Sequence, residues 1–123
     1  MRLTIWGTLP GLNDMIDENR RNYHAGAKLK KEAQFLVVTA ARKSLKRWKA
    51  SGPVWMTYRW YEPNRRRDKD NIAAGGRKVI QDALVEAGIL RGDGWNEIAG
   101  FTDEFYVDKT EPRIEVEIEE VNQ

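Results

Sequence analysis

Apolar residues recur along this chain with two different periods, and each predicts a different backbone. From Val54 to Tyr61 they alternate, with Val54, Met56, Tyr58 and Trp60 set against Trp55, Thr57, Arg59 and Tyr61. A period of two in a segment rich in aromatics predicts a strand with one buried side. Arg113 to Val121 alternates more sharply, Ile114, Val116 and Ile118 against Glu115, Glu117 and Glu119, which predicts one apolar and one charged face. Leu3 to Thr8, ended by Leu9-Pro10-Gly11, and Ile98 to Asp108 complete four strands, the last two joined by a turn around Lys109 to Pro112.

Spacings of three and four predict the helices. Between Ala25 and about Lys49 the apolar positions are Leu29, Ala33, Leu36, Val37, Ala40, Ala41, Leu45 and Trp48, and Ser51-Gly52-Pro53 stops the helix. A second helix carries Ile72, Gly76, Val79, Ile80, Ala83, Leu84 and Ala87 on one face, with Gly88 where a C′ glycine belongs. Asn13 is expected to cap a short helical turn reaching about Asn22, with Asp14, Asp17 and Glu18 near its positive end. The order β-α-β-α-β-β predicts one α+β domain over residues 1–123, a small mixed sheet packed by two main helices.

Composition narrows the chemistry. The chain has no cysteine and a single histidine, His24, which removes thiolate zinc sites, thiol nucleophiles and His-rich metal cages. Catalysis must rest on carboxylates, lysines, hydroxyls or a bound metal. The longest charge-free run, Leu3 to Asn13, has eleven residues, short of the roughly 18 of a membrane span. With Trp6, Gly7 and Pro10 so early the start does not resemble a signal peptide. A cytoplasmic protein with no membrane association is expected.

The net charge of +2 conceals a segregation along the chain. Residues 20–49 hold ten Lys and Arg against Glu32 alone, whereas residues 93–123 hold ten acidic residues against two basic ones. A basic face built from Lys28, Arg42, Lys43, Lys46 and Arg47 is what a polyanion binder needs. The plainer reading is a solvated helix face balanced by the acidic C-terminal strands.

The segment Arg65-Arg66-Arg67-Asp68-Lys69-Asp70-Asn71 lies where a strand gives way to a helix. Carboxylates at i and i+2 of extended chain project to one side and can share a hard divalent cation such as Mg2+. The three arginines would attract phosphates arriving beside it, so the segment suits phosphodiester chemistry. Equally, Asp70 or Asn71 could simply cap the helix. Asp93, in the turn Gly92-Asp93-Gly94, joins the pair only if the fold returns residues 93–98 alongside it. Gly75-Gly76-Arg77-Lys78 lacks the spacing of a phosphate loop, and Ile72 fills a position that an EF-hand needs for a ligand. Trp55 and Trp60 fit the packing of their strand, which leaves Trp95, beside Asp93, as the aromatic free to stack on a base.

These residues resemble the RusA-like Holliday junction resolvases, small endonucleases of bacteria and their prophages. The family pattern is Asp-x-Asp-Asn opening a helix, a lysine, then Lys-x-x-x-Asp-[Ala/Gly]-Leu and a further Asp. It stands here as Asp68, Asp70 and Asn71, then Lys78 with Asp82, Ala83 and Leu84, and then Asp93. The resemblance is close over 67–108 and extends over 53–118. One departure is that the lysine expected three residues after the Asn is Ala74, and Lys78 follows one helical turn later. From there it could reach back toward the pair, or pair with Asp82 at i+4.

The resemblance implies an endodeoxyribonuclease that resolves four-way junctions in recombination and repair. It implies Mg2+, with Mn2+ as the alternative, at Asp68, Asp70 and Asp93, and catalytic help from Lys78. DNA contacts would come from Arg65, Arg66, Arg67, Trp95 and the basic helix with Lys28, Arg42, Lys43, Lys46 and Arg47. It implies a homodimer on branched DNA and no small-molecule cofactor. The competing reading is a non-catalytic branched-DNA-binding protein with a degenerate metal site. A third, a structural partner protein using its acidic last strand, predicts no DNA affinity.

Overall fold

The computed structural model describes residues 1–121. The strands are β1 (Arg2–Trp6), β2 (Val54–Glu62), β3 (Ile98–Val107) and β4 (Arg113–Glu120), and the helices are α1 (Leu12–Arg21), α2 (Tyr23–Leu45) and α3 (Lys69–Glu86). The α+β class and the mixed sheet are as expected, but the order is β-α-α-β-α-β-β. The expected short turn is a ten-residue helix, α1, so three helices pack where two main ones were predicted. Its N-cap is Gly11 rather than Asn13. The Asp14 carboxylate accepts the Gly11 N–H at 2.8 Å, and the Asn13 N–H that a cap side chain would take donates instead to Asn71 Oδ1 at 2.8 Å. Asn22 ends α1 in extended geometry and turns its own Oδ1 to the His24 N–H at 2.8 Å, opening α2 at once.

The helix α2 stops at Leu45, short of Lys49, because Lys46 takes a positive φ of 53°. Its buried stripe is Ala33, Val37, Val38, Ala41 and Leu45. Leu36, expected on that face, is exposed, as is Phe35. The stripe follows a period of four with Val38 beside it, and Leu36 falls on its far side.

Strand alternation holds in phase. Val54, Met56, Tyr58 and Trp60 of β2 and Ile114, Val116 and Ile118 of β4 are buried together under α2 and α3. Gly76 of α3 lies flat on the Trp60 ring, where a Cβ would come within 2.5 Å of the indole. The opposite sheet face is polar. There Arg59 lies between Glu104 and Glu117, and Arg113 stacks on Tyr61 at 3.8 Å.

The strand order is β1-β4-β2-β3, with β4 antiparallel to both neighbours and β2 parallel to β3. The β2-α3-β3 crossover decides where the site residues go. Parallel register sets Ile98 beside Val54 and Val107 beside Glu62. The 88–97 loop therefore lies at the start of β2, and the start of α3 lies at its end.

Candidate active site

A groove opens at the end of β2, walled by the start of α3, the start of α1 and the last residues of β3. Its lining includes Asn13, Arg65, Asp68, Asp70, Phe105 and Tyr106. Asp68 is the N-cap of α3, in extended backbone with ψ 149°, yet its side chain makes no capping hydrogen bond. Asp70 lies in the first helical turn, so the two carboxylates are not on one extended strand as expected. The helix starts at Lys69, between them. Both still line the one groove, both are exposed, and neither has an ion-pair partner among the described residues. The positive end of α3 offsets part of their charge.

The flanking residues divide. Arg65 and Arg66 are exposed beside the groove. Arg67 also lines the groove, with its guanidinium donating from Nε and Nη2 to both oxygens of Glu62 at 2.9 and 2.8 Å and from Nη1 to the Leu9 carbonyl at 2.9 Å. Asn71 accepts the Asn13 N–H on Oδ1 at 2.8 Å. Close backbone approach makes that contact possible, since a Cβ on Gly75 would lie 2.7 Å from the chain at Pro10 to Leu12. Ala74, where the family lysine is expected, lines the groove.

Lys78 and Asp93 are brought together, away from that groove. The Lys78 ammonium lies 3.1 Å from Asp82 Oδ1 and 3.2 Å from Asp93 Oδ2, while Asp82 Oδ2 is 3.2 Å from Lys30. Ten residues of helix separate Asp68 from Lys78, about 15 Å along the axis. The lysine head turns toward the helix C-terminus rather than back to Asp68. Hydrogen bonds to Asp82 and Asp93 hold its pKa above the ordinary lysine value. Among the described residues no three acidic or histidine side chains converge as a ready metal cluster. Asp68 and Asp70 suit a Mg2+ ion that keeps several waters and takes one or two carboxylates plus substrate phosphate.

The basic residues gather at the Asp93 end. Arg42 and Lys43 lie in the last turn of α2, and Lys46 and Arg47 follow it, all exposed. The Ala50 N–H donates to Ile89 O at 2.9 Å, fastening this segment to the 88–97 loop. Trp95, in that loop, is 98% exposed. Trp60 is core, and Trp55 half-covers the outer sheet face with its Nε1 on Thr102. Lys28 is exposed and near Glu32.

Sequence reasoning missed Glu62, the one buried charged residue among those described, at 7% exposure. A signal was present, because Glu62 continues the inward phase of Val54, Met56, Tyr58 and Trp60. A carboxylate on that phase needs a buried cation, and Arg67 supplies it.

No helix of the described residues is long and apolar enough to cross a membrane. No curated protein matches the sequence. A family model does match, over residues 15–119, and its description is endodeoxyribonuclease RusA. The match spans β2, α3, β3 and nearly all of β4, and with them the groove carboxylates, Lys78 and Asp93. The chain belongs to the RusA endodeoxyribonuclease family.

Proposed function

We propose that the protein is a Mg2+-dependent endonuclease that resolves four-way DNA junctions in recombination and repair. The observation that carries this is the pair of unpartnered carboxylates at the start of α3, in a groove flanked by the free Arg65 and Arg66. Asp68 and Asp70 would hold the cation, with Mn2+ able to replace Mg2+. When bound, such a cation lowers the pKa of a water and offsets charge on the scissile phosphate. Arg65 and Arg66 bind the strand to either side, and the basic cluster from Arg42 to Arg47 carries the flanking arm. In-line hydrolysis leaves a 5′-phosphate and a 3′-hydroxyl.

A homodimer is part of the proposal for two reasons. A four-way junction needs two matched nicks, which a twofold pair of sites delivers. Asp93 also lies at the opposite end of β2 from Asp68, so it can serve the groove carboxylates only across a subunit interface. An antiparallel pair of protomers sets the 88–97 loop of one copy, with Asp93, Lys78 and Trp95, against the groove of the other. Mixing Asp70→Asn with Asp93→Asn protein tests this. Each alone should fail to cut, whereas mixed dimers hold one intact groove and should nick a junction on one strand only. No recovery would refute the trans arrangement, and cutting by Asp93→Asn alone would place Asp93 outside the site.

The non-catalytic reading has one observation in its favour: Ala74 lines the groove where the family lysine is expected, and Lys78 is held elsewhere. A labelled four-way junction incubated with Mg2+ or with EDTA separates the two. The nuclease produces paired nicks with Mg2+ only, and the binding module shifts the junction in both and cuts in neither.

A further inference from the structure

We infer that Lys69, the residue between Asp68 and Asp70, holds a phosphate oxygen of the DNA strand that lies over the carboxylate pair. It is the one lysine among the residues lining the groove, and it is exposed there. Its ammonium makes no ion pair among the described residues and rests 5.7 Å from the centre of the Phe105 ring, on the β3 wall of the groove. An exposed cation–π contact is weak, whereas a charge-assisted hydrogen bond to phosphate is strong. The ring therefore keeps the ammonium in the groove without neutralising it, and an arriving strand can take it over.

Two further observations separate Lys69 from an ordinary surface lysine. It is the first residue of α3, directly after the Asp68 cap, where the helix end is positive and favours an acidic side chain. Asp70 obeys that preference and Lys69 opposes it. A residue set against its local preference beside a candidate site points to a function that offsets the cost. The second observation is that the rest of the α3 wall supplies no ammonium. Ala74 lines the groove without a charge, and Lys78 is turned onto Asp82 and Asp93. Glu62, the remaining carboxylate of the lining, is matched by Arg67 and does not draw Lys69 away. With one carboxylate on each side of it in sequence, Lys69 has a flexible stem that can reach the phosphate facing the pair. There it would add positive charge where the reacting phosphate is most negative.

This inference rests on the reading of the groove given above, and the test separates the two. Lys69→Gln removes the charge, and Lys69→Arg keeps it. In Lys69→Gln, nicking at saturating Mg2+ should fall by about tenfold or more, and further Mg2+ should not recover it. The salt dependence of junction affinity, measured in Ca2+, should flatten by about 0.9 for each phosphate no longer neutralised. Lys69→Arg should restore that slope and most of the rate. Mn2+ binding without DNA, read by electron paramagnetic resonance, should be no weaker in Lys69→Gln than in wild type. Its thermal midpoint should be no lower, because a cation has left the positive helix end. Full nicking with an unchanged salt slope in Lys69→Gln overturns the inference and leaves the nuclease reading standing. So does a loss of nicking that extra Mg2+ recovers, the mark of a residue that only supports the metal site, or a lowered midpoint with an unchanged slope, the mark of a structural one. Wild-type protein that binds the junction and cuts with neither Mg2+ nor Mn2+ overturns the nuclease reading, and the salt slope of Lys69→Gln then decides the phosphate contact by itself.

Discussion

The two ends of α3 carry the same kinds of side chain and leave them in opposite states. At the N-terminal end Asp68 and Asp70 are exposed and without ion-pair partners among the described residues. Toward the other end Asp82 and Asp93 are joined by Lys78, with Lys30 closing the chain of charges. A carboxylate already matched by an ammonium has little to gain from a cation, whereas an unmatched one beside exposed arginines can take a metal and leave the arginines for phosphate. In the antiparallel twofold dimer proposed above, each copy would complete the other.

The sharpest way to break this contrast is to neutralise the open end. Asp70→Asn should lower Mg2+-dependent nicking on the order of 100-fold or more, with junction affinity within about twofold of wild type, as gel shift and cleavage on one labelled junction would report. Near wild-type cutting would mean the free pair is only surface charge.

Next in size is the basic cluster at the Asp93 end. Reversing Arg42, Lys43, Lys46 and Arg47 to Glu should cost about tenfold or more in junction affinity and flatten the salt dependence by about 0.9 for each phosphate that is no longer neutralised. An unchanged slope would move the DNA surface to the groove end, at Arg65 and Arg66.

Gly75→Ala probes the scaffold under the open end without touching its charges. The new Cβ would lie 2.7 Å from the backbone at Pro10, Gly11 and Leu12, so the β1–α1 segment must shift. Overpacking of this kind costs about 1–3 kcal/mol, readable in urea melts, and nicking should fall while DNA affinity holds. An unchanged melt would show that the segment yields freely and does not brace the pair.

Lys78→Ala has the smallest effect on stability, within about 0.5 kcal/mol at neutral pH, because its ion pairs are solvent-exposed. The raised pKa sets the sign. A lysine held above its ordinary value contributes while pH is below that value, 10.5, and the contribution is lost as pH rises through the raised one. Wild type and variant should therefore converge in strongly alkaline melts. Slowed nicking beside this small stability change would place Lys78 at the partner's groove, and full activity would confine it to its local pairs.

Much of this was legible in one dimension. The alternation in β2 and β4 carried strand identity and phase together, because a half-buried strand must repeat every two residues. The pairing of Asp68 with Asp70 in one groove was legible because two residues of separation leave the chain little room to part them. Helix α2 was less so, since Leu36 and Val38 flank Val37 symmetrically in sequence and only the packed neighbours choose between them. Its early end at Lys46 is a backbone conformation that no glycine announced.

Sequence alone determined the element types, the inward rows of the sheet and the family, all of which depend on short-range spacing. Tertiary structure alone decided that β4 enters between β1 and β2 and that β3 runs parallel to β2. It thereby decided that Asp93 lies with Lys78 rather than with Asp68. Each of these is a choice of partner among many residues of like charge. Such choices are made by burial and strand register over long separations, which local pattern does not record.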